Sequence, residues 1–584
     1  MTIRRTPLYF GPEERSLFGW LHAPGTGAQR DLAVVLCPPI GHEYINSHRS
    51  IRHLADRLAE AGTPALRFDY DGTGDSCGGD EDPDRIAAWR GSIVEAIRTV
   101  RRLTGCERVG LVGVRLGAAL AVAAAVETAV DALVLWAPVV RGRAYNRELK
   151  ALHLTGGNRV VAIPESGQLE PAGFVVTAGT QRDLAGIVLE EQLPDARRVL
   201  IVARDDLAPD PRLPDTWRAA GIDVEQRLRP GYAEMFASPH NTVVPTAVIA
   251  EIVDWLVAGA PSAPAAAPAP PLRAEQRSGA LRESFVRFDA ADSHIFGILT
   301  ESSGTPGDAP LILLPNAGSS HHAGPNRLYV HLARALAGAG FRALRFDLPG
   351  LGDSILDPPA AENDSYVPAT GTAIAAAIDL LRTEGRAASF VLLGLCSGAH
   401  ASFHAALDLR DAPIAESILI NPLTFYYKPG MPLDSPMSGY REWQWYMRSV
   451  RRVDRWTKLL RGEARLHAIA RAIWRRLLDK LAIHTAALTS RLPFARPVTL
   501  REDLTHDLRR IIRSGRKLTF VFSRFAPGYD LLIDRAGPTV QRYRKRGHVK
   551  LWRIDGATHT FEAKEARETM TAELIAHLRA RYLK

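Results

Sequence analysis

Residues 389–398, Ser389-Phe-Val-Leu-Leu-Gly-Leu-Cys-Ser-Gly398, decide the fold of the second half of this chain. The segment Ser389–Leu395 is an apolar run of strand length, and a helical pattern of small residues follows from Gly398. Glycines stand two residues before and two residues after Cys396, which permits a tight turn. A strand, such a turn and a helix in this order form the context of a G-x-S-x-G turn above a parallel sheet. The segment therefore predicts an α/β fold with Cys396 held above the carboxyl edge of the sheet.

Cys396 takes the central position of this turn, and Ser397 lies one residue away from it. A helix N-terminus lowers the pKa of a thiol, which favours the nucleophilic thiolate. The alternative is a buried structural cysteine, since free cysteine is commonly a small core residue. The strand, the two glycines and the helix together favour a nucleophile.

The first half contains the same turn as Gly113-Val-Arg-Leu-Gly117, with Arg115 at its centre. Arginine stays protonated and cannot act as a nucleophile. Two interpretations remain open for this half: a degenerate structural domain, or a site at which Arg115 binds a carboxylate or phosphate. Asp205, after a predicted strand, and His240 stand near the acid and histidine positions that an active ancestor would have used.

An internal repeat relates the two halves, which predicts two homologous domains. The unmatched Pro/Ala-rich stretch between them predicts an extended linker, so we expect domains at 1–257 and 277–584 joined by a linker at 258–276. Both halves alternate apolar strands with helices, which predicts two doubly wound parallel sheets in tandem. At one shift of 278 residues, Ala65-Leu-Arg-Phe-Asp69 recurs as Ala343-Leu-Arg-Phe-Asp347, Phe18-Gly19 as Phe296-Gly297, and Gly72-Thr-Gly-Asp-Ser76 as Gly350-Leu-Gly-Asp-Ser354.

His559 is the predicted base, because it follows the last apolar strand, Val549–Ile554, where this fold places its histidine. The alternative is an exposed loop histidine. The acid is expected directly after the preceding strand, but Phe525 and Ala526 stand there. Asp530 is the nearest carboxylate and the predicted acid, with Asp534 next. A cysteine–histidine dyad needs the acid less than a serine does.

The oxyanion hole is predicted to pair the backbone N–H of Ser397 with that of Ala317, in the loop after the first core strand. His321 and His322 follow this loop, and we expect them to be loop or helix-capping residues rather than ligands. Residues from about 424 to 510 form an Arg- and Trp-rich insertion, which predicts a helical cap. The cap could hold an acyl chain on an anionic carrier, or present a basic face to solvent.

Composition limits the classes of function. The net charge of +9 suits solvated arginine-rich helix faces or an acidic partner, and no nucleic-acid motif accompanies it. Four scattered cysteines predict neither a disulfide framework nor a zinc site, so we expect no metal and no cofactor. No secretory signal and no apolar run long enough for a transmembrane segment is evident, which predicts a cytoplasmic protein.

Both halves resemble serine aminopeptidase-type α/β-hydrolases. The first half, with Cys37-Pro-Pro-Ile-Gly, Gly-Val-Arg-Leu-Gly-Ala and Pro171-Ala-Gly-Phe, resembles the exosortase A system-associated hydrolase 2 group. The second half, with Gly-Leu-Cys-Ser-Gly-Ala, Asn421-Pro and Gly556-Ala-Thr-His-Thr-Phe, is similar to capped hydrolases of bacterial polysaccharide or natural-product biosynthesis, including hydrolase 1 of that system. This resemblance implies catalytic roles for Cys396 and His559. The chain departs from it at Ala526, where such proteins often carry an aspartate.

These observations predict a hydrolase of acyl esters or thioesters that forms an S-acyl-cysteine intermediate. The expected substrate is a small molecule or a carrier-bound acyl group, including an acyl carrier or CoA thioester. An acyltransferase is the second hypothesis, since polyhydroxyalkanoate synthases also carry cysteine in a G-x-C-x-G turn. A non-catalytic scaffold is the third, favoured by Arg115 and Ala526. Oligomeric state stays open.

Overall fold

A computed structural model describes residues 3–25, 29–156, 163–262, 272–356, 362–428, 431 and 502–583. Each half folds around its own sheet with helices on both faces, and the predicted tandem of doubly wound α/β domains is confirmed. The predicted cap falls mainly on residues 432–501, which lie outside the described residues. Among the described residues, no helix is both long and apolar enough to cross a membrane.

The first sheet has the strand order β1-β2-β4-β3-β5-β6-β7-β8. Strands β1, β2 and β4 pair antiparallel, and the pairs from β4 to β8 are parallel. The first domain consists of the following strands and helices. They are β1 (Ile3–Phe10), β2 (Leu17–Pro24), β3 (Ala33–Cys37), α1 (His42–Glu60), β4 (Ala65–Phe68), α2 (Arg85–Thr104), β5 (Val109–Val114), α3 (Leu116–Glu127), β6 (Ala132–Trp136), α4 (Gly142–Thr155), α5 (Ala178–Ala185), β7 (Val199–Ala203), α6 (Arg212–Ala219), β8 (Val224–Leu228), α7 (Tyr232–Met235) and α8 (Thr246–Val257).

The second sheet has the order β18-β17-β16-β15-β12-β13-β11-β10-β9, with β14 paired to β11, and is parallel from β18 to β13. Its elements are β9 (Glu275–Ser278), β10 (Leu281–Ala290), β11 (Ser293–Ser302), β12 (Leu311–Pro315), α9 (Leu328–Gly338), β13 (Arg342–Phe346), β14 (Ile355–Leu356), α10 (Thr370–Thr383), β15 (Phe390–Leu395), α11 (Ser397–Asp408), β16 (Ile414–Ile420), α12 (Leu504–Arg513), β17 (Lys517–Ser523), α13 (Pro527–Lys545), β18 (Val549–Ile554) and α14 (Lys564–Tyr582).

Two segment boundaries differ from the sequence expectation. Strand β9 starts at Glu275 and pairs with β10, so the ordered second sheet begins inside the segment assigned to the linker. Helix α12, whose apolar face packs on the core, includes the last residues of the segment assigned to the cap. In both places the local sequence is polar or arginine-rich, and pairing or packing with distant residues fixes its structure.

The repeated segments form part of the contact between the two domains. In each domain the glycine of Gly-Asp-Ser lies against the preceding aspartate, and a Cβ on Gly74 or Gly352 would fall within 2.3 Å of that carboxylate. The next residues hold the loop closed: the Asp75 N–H donates to Asp69, and the Asp353 N–H donates to Asp347. The repeat therefore preserves one loop geometry twice.

Two arginines of the repeat cross between the domains in a pseudo-symmetric pair. Arg67 of β4 donates to Asp353 of the second domain, and Arg345 of β13 donates to Asp75 of the first. Arg345 also binds Glu283 at 2.8 Å and is fully buried. An aromatic cluster drawn from both domains packs beside these pairs, with Trp20, Phe18, Tyr9, Phe296 and Ile298 as its buried members. The domains therefore share a buried, charged and apolar interface.

His321 and His322 lie in the loop after β12, as expected, and this loop is part of the interface. Both side chains are buried. His322 Nδ1 and Nε2 lie 2.7 Å from Asp347 and Asp75. Burial lowers the pKa of His322, but these two carboxylates outweigh it and raise the pKa to about 10. Sequence reasoning missed this because the partners lie in different domains.

Helix α1 begins at His42, although apolar residues at helical spacing begin only at Ile51. The helical turns before Ile51 carry polar residues, so they show no apolar periodicity. Several of them, including Glu43, Ser47 and His48, are buried against partners elsewhere in the fold. Their polarity therefore reflects buried ion pairs and hydrogen bonds rather than solvent exposure.

Candidate active site

The turn at Cys396 has the predicted strained geometry. Cys396 lies between β15 and α11 with a φ of 57°, a left-handed conformation that costs free energy for a side chain other than glycine. A Cβ on Gly394 would lie 2.1 Å from Gly398, and one on Gly398 would lie 2.7 Å from Pro315 O. The two glycines are therefore required for the helix to approach the strand this closely.

The thiol of Cys396 is neutral at neutral pH, so the expected lowering of its pKa is wrong. Cys396 keeps some exposed surface, but the atoms packed around it disfavour the thiolate. This burial raises its pKa to about 11, although a hydrogen bond from the Ser397 N–H acts in the opposite direction. One helix N–H does not compensate for the loss of water around the charge.

His559 is held at the carboxyl edge of the sheet by Asn421, the residue that follows β16. Asn421 Nδ2 donates to His559 O at 2.8 Å, and Asn421 Oδ1 accepts from Ser523 N at 2.8 Å. Burial lowers the pKa of His559 to about 4, so the ring is neutral. Its Nε2 atom is buried and has no hydrogen-bond partner among the described residues. A neutral imidazole with an open nitrogen is available to accept a proton.

Asp530, the predicted acid, is not brought to His559 as a charge partner. It lies in the first turn of α13, which Pro527 begins directly after Ala526. Burial alone shifts the pKa of His559, whereas a neighbouring carboxylate would raise it. Asp555 is exposed and lies 3.6 Å from Arg524. Within the described residues, the centre is therefore a cysteine and a histidine without an orienting carboxylate.

Two hydrogen bonds hold the loop after β12. Gly318 N donates to Ser397 Oγ at 2.8 Å, and Asn316 Nδ2 donates to Ser320 O at 2.9 Å. The N–H of Ala317 makes no hydrogen bond to any described residue. Sequence reasoning chose Ser397 for its backbone N–H and missed its side chain, which holds the loop that carries Ala317.

A wall of aromatic rings lies beside Cys396, and sequence reasoning did not find it. Tyr366 stacks on Tyr427 at 4.2 Å between ring centroids and meets His400 edge-on at 5.0 Å. Burial and the nearby Cys396 thiolate charge raise the pKa of Tyr366. Burial and then His404 lower the pKa of His400 to about 3. This wall is therefore uncharged at neutral pH and suits an apolar group.

The corresponding turn in the first domain has the same backbone shape, but it carries arginine in place of a nucleophile. Arg115 has a φ of 54°, close to that of Cys396. Its guanidinium donates to Glu43 at 2.6 Å and to Glu148, and it lies over the ring of Tyr145. Two carboxylates already neutralise the guanidinium, which argues against the anion-binding interpretation.

The other first-domain candidates, Asp205 and His240, lie in two separate segments of the chain. The carboxylate of Asp205 accepts a hydrogen bond from Gly231 N at 3.0 Å, and His240 lies in a short 3-10 helix, Pro239–Asn241. At the repeat shift of 278 residues, Ala317 corresponds to Pro39, which has no N–H. The first domain therefore lacks both the nucleophile and one oxyanion donor.

The first domain also holds the loop that carries His559. Arg567 Nη1 donates to Gly173 O at 2.7 Å and to Glu562 O at 2.6 Å, and Lys564 N donates to Glu170 at 2.8 Å. The carbonyl of Thr560, next to His559, accepts a hydrogen bond from the Asn326 side chain. The histidine loop is therefore positioned from both domains.

Two family models match separate parts of the chain. Residues 311–570 match the family model described as alpha/beta hydrolase family, and residues 31–174 match the model for serine aminopeptidase, S33, as expected for the first half. No curated protein matches the chain.

Among solved structures, the chain is similar to Est1E from Butyrivibrio proteoclasticus in complex with ferulic acid, at 18% identity and a TM-score of 0.34, over 43% of this chain and 98% of that one. It is also similar to proline iminopeptidase from Mycobacterium smegmatis, at 15% identity and a TM-score of 0.32, over 43% and 97% of the two chains. A putative hydrolase from Agrobacterium vitis S4 aligns at 19% identity and a TM-score of 0.28, over 39% and 91%.

Proposed function

We propose that this protein, a tandem of two α/β-hydrolase domains, hydrolyses acyl esters or thioesters at a single centre in the second domain, with Cys396 as nucleophile and His559 as base. The proposal is supported by the strained turn at Cys396 and by the N–H of Ala317, which makes no hydrogen bond to any described residue. The substrate is a small ester or an acyl group on a thiol-bearing carrier. The first domain contributes no reacting group.

The reaction begins with both partners neutral. His559 Nε2 takes the thiol proton as Cys396 Sγ bonds to the acyl carbon, and the carbonyl oxygen becomes an oxyanion. The N–H groups of Ser397 and Ala317 stabilise that oxyanion. When the tetrahedral intermediate collapses, the bond to the leaving alcohol or thiol breaks, and the leaving group takes the proton from His559.

Water completes the cycle by attacking the S-acyl carbon. His559 accepts a proton from the water and returns it to the departing Cys396 sulfur, which releases the carboxylic acid. An amine or alcohol in place of water would give acyl transfer through the same steps. The aromatic wall of Tyr366, Tyr427 and His400 suits an apolar acyl group beside Cys396.

Mass spectrometry tests the proposal on the full chain. Incubation with p-nitrophenyl butyrate, followed by acid quenching and peptide mapping, is expected to show a butyryl adduct on Cys396. The adduct should be absent from Cys396→Ala and retained in Cys106→Ala, a matched control at a buried cysteine of the first domain. Its absence from the wild-type chain, or labelling only at other residues, would contradict a cysteine nucleophile.

The products separate hydrolysis from transfer. With glycerol and an alkylamine present as competing acceptors, we expect butyric acid as the main product. A predominant butyramide or butyryl glycerol product would instead show an acyltransferase.

Gly173 in the first domain is expected to control the rate in the second. The substitution Gly173→Ala places a Cβ 2.9 Å from Asn326 and from Glu562 Cα, at a φ of +86°. This contact should push the His559 loop away, and a displacement of about 1 Å in such a group costs up to about 100-fold in rate. Stopped-flow acylation with p-nitrophenyl butyrate measures the effect.

Gly221→Ala is the matched control for this prediction. Gly221 has a φ of +87°, so the backbone strain is the same, but nothing lies within 4 Å of the added Cβ. Equal acylation rates for the Gly173→Ala and Gly221→Ala variants would show that the first domain does not position His559.

A further inference from the structure

Helix α9 places a tyrosine hydroxyl against the strand that leads to Cys396. Tyr329 lies in the first turn of this helix and is fully buried. Its Oη atom accepts a hydrogen bond at 2.9 Å from the N–H of Leu395, the last residue of β15. A Cβ on Gly398, at the start of α11, would lie 3.4 Å from the same oxygen. The hydroxyl therefore lies beside both elements that flank the turn.

Strand pairing explains why the N–H of Leu395 needs this partner. Successive N–H groups of a strand point to opposite sides. The N–H of Cys396 donates to Ile420 O in β16, so the N–H of Leu395 points towards β12. The pairing between β12 and β15 has already ended, at Leu313 and Leu392. The tyrosine hydroxyl therefore takes the place of a backbone carbonyl of β12.

The first domain makes the same turn without such a hydroxyl. There, β3 and β5 stay paired as far as Cys37 and Gly113, two residue pairs farther than in the second domain. At the repeat shift of 278 residues, Tyr329 corresponds to Ile51, and the sequence His-Leu-Ala begins two residues later in both helices. The tyrosine and the parted strands therefore occur together, in the domain that carries the thiol.

Where the strands part, the loop after β12 also lies farther from its helix. A Cβ on Gly117 would lie 2.2 Å from Cys37 O, the last carbonyl of β3. A Cβ on Gly398 would lie 2.7 Å from Pro315 O, the last carbonyl of β12. The loop that follows Pro315 carries Ala317, one of the two proposed oxyanion donors. The distance between this loop and the turn therefore sets the spacing of the two donors.

We propose that Tyr329 is a positioning residue for the centre at Cys396. Its hydroxyl holds the end of β15 away from β12, and so sets the spacing between the oxyanion donors, the N–H groups of Ser397 and Ala317. The hydroxyl is buried and takes no part in proton transfer. Burial raises its pKa above the usual value, so it stays protonated. This inference rests on the proposed function.

The variant Tyr329→Phe tests this role in the full chain, because it removes only the hydroxyl. Stopped-flow acylation by p-nitrophenyl butyrate at saturating ester should slow at least about 10-fold, a part of the contribution of one oxyanion donor. The half-saturating ester concentration should change less than about 2-fold, since the hydroxyl does not touch the substrate. Alkylation of Cys396 by iodoacetamide should also change less than about 2-fold, because displacement of iodide forms no oxyanion.

Tyr582→Phe is the matched control. The hydroxyl of Tyr582 donates to Glu416 at 3.0 Å, at the end of the last helix, and its loss should leave acylation at the wild-type rate. An acylation rate of Tyr329→Phe equal to that of Tyr582→Phe would overturn the proposal. Equal losses of acylation and alkylation would also overturn it, because they would place the effect on the thiol and not on the oxyanion donors.

Hydrogen–deuterium exchange separates this inference from the proposed function. If the wild-type chain forms no acyl adduct on Cys396, the proposed function fails, and exchange decides whether Tyr329 holds the turn. The peptide that contains Leu395 should exchange at least about 5-fold faster in Tyr329→Phe than in Tyr582→Phe, because a buried N–H loses its acceptor. Equal exchange in the two variants would overturn the positioning role.

Discussion

Replacing His559 by alanine is expected to slow acylation of Cys396 by about 10²- to 10⁴-fold at pH 7, the range of general-base catalysis. The physical reason is the protonation state of the thiol. Burial raises its pKa to about 11, so only a minute fraction is thiolate at neutral pH. Without a base, attack depends on that fraction.

The pH dependence makes this prediction specific. His559 has its pKa lowered to about 4, so the wild-type rate should stay nearly constant from pH 8 to pH 5 and fall as the ring is protonated near pH 4. In His559→Ala the rate should instead rise about tenfold per pH unit towards pH 11, as the thiolate forms. Stopped-flow measurement of the acylation burst from pH 4 to pH 10 gives both profiles.

His294→Ala is the control, since His294 is an exposed histidine of the same domain, paired with Asp289. This variant should follow the wild-type profile. A His559→Ala variant that also does so would remove His559 from the mechanism. A wild-type rate that falls between pH 8 and pH 6 would indicate a thiolate–imidazolium pair instead of two neutral groups.

Replacing Arg345 by methionine is expected to lower the free energy of unfolding by about 3–5 kcal/mol, the cost of breaking a buried ion pair from one side. Arg345 is fully buried and binds Asp75 across the domain interface and Glu283 within its own domain. The substitution would remove the main positive partner of the Asp75 carboxylate and one of the two positive partners of the Glu283 carboxylate. Urea unfolding followed by fluorescence and circular dichroism measures the loss.

Arg277→Met provides the comparison. Arg277 is 71% exposed and pairs with Glu275 at 3.2 Å, so its loss should cost no more than about 1 kcal/mol. Similar losses for Arg345→Met and Arg277→Met would show that the interdomain pairs do not hold the domains together. Arg67→Met should act like Arg345→Met, because Arg67 makes the pseudo-symmetric bond to Asp353.

Local sequence was sufficient for the strands and turns that carry the site. The strand before Cys396 and the helix after it each begin within one residue of the expected position. Buried parallel strands are continuous apolar runs, and the close approach of strand and helix demands the two glycines of each turn. These signals lie within a few residues of one another, so a single sequence contains them in full.

Interactions between distant residues were beyond such reasoning. Asp530, the expected acid, lies in the first turn of the helix that begins at Pro527, and burial rather than a carboxylate shifts the pKa of His559. The pKa of Cys396 was expected to be low because the residue lies at a helix N-terminus, but burial raises this pKa. His321 and His322 seemed ordinary loop residues until the other domain was packed against them.

The sequence by itself determined that Cys396 occupies the centre of a strained turn and that Arg115 occupies the centre of the matching turn. Glycine spacing and side-chain identity are local properties. Only the tertiary structure decided how these two positions differ in chemistry. Desolvation, hydrogen bonding and nearby charges all depend on residues that lie far apart in the chain. They leave a neutral thiol and a neutral imidazole in one domain, and a neutralised arginine in the other.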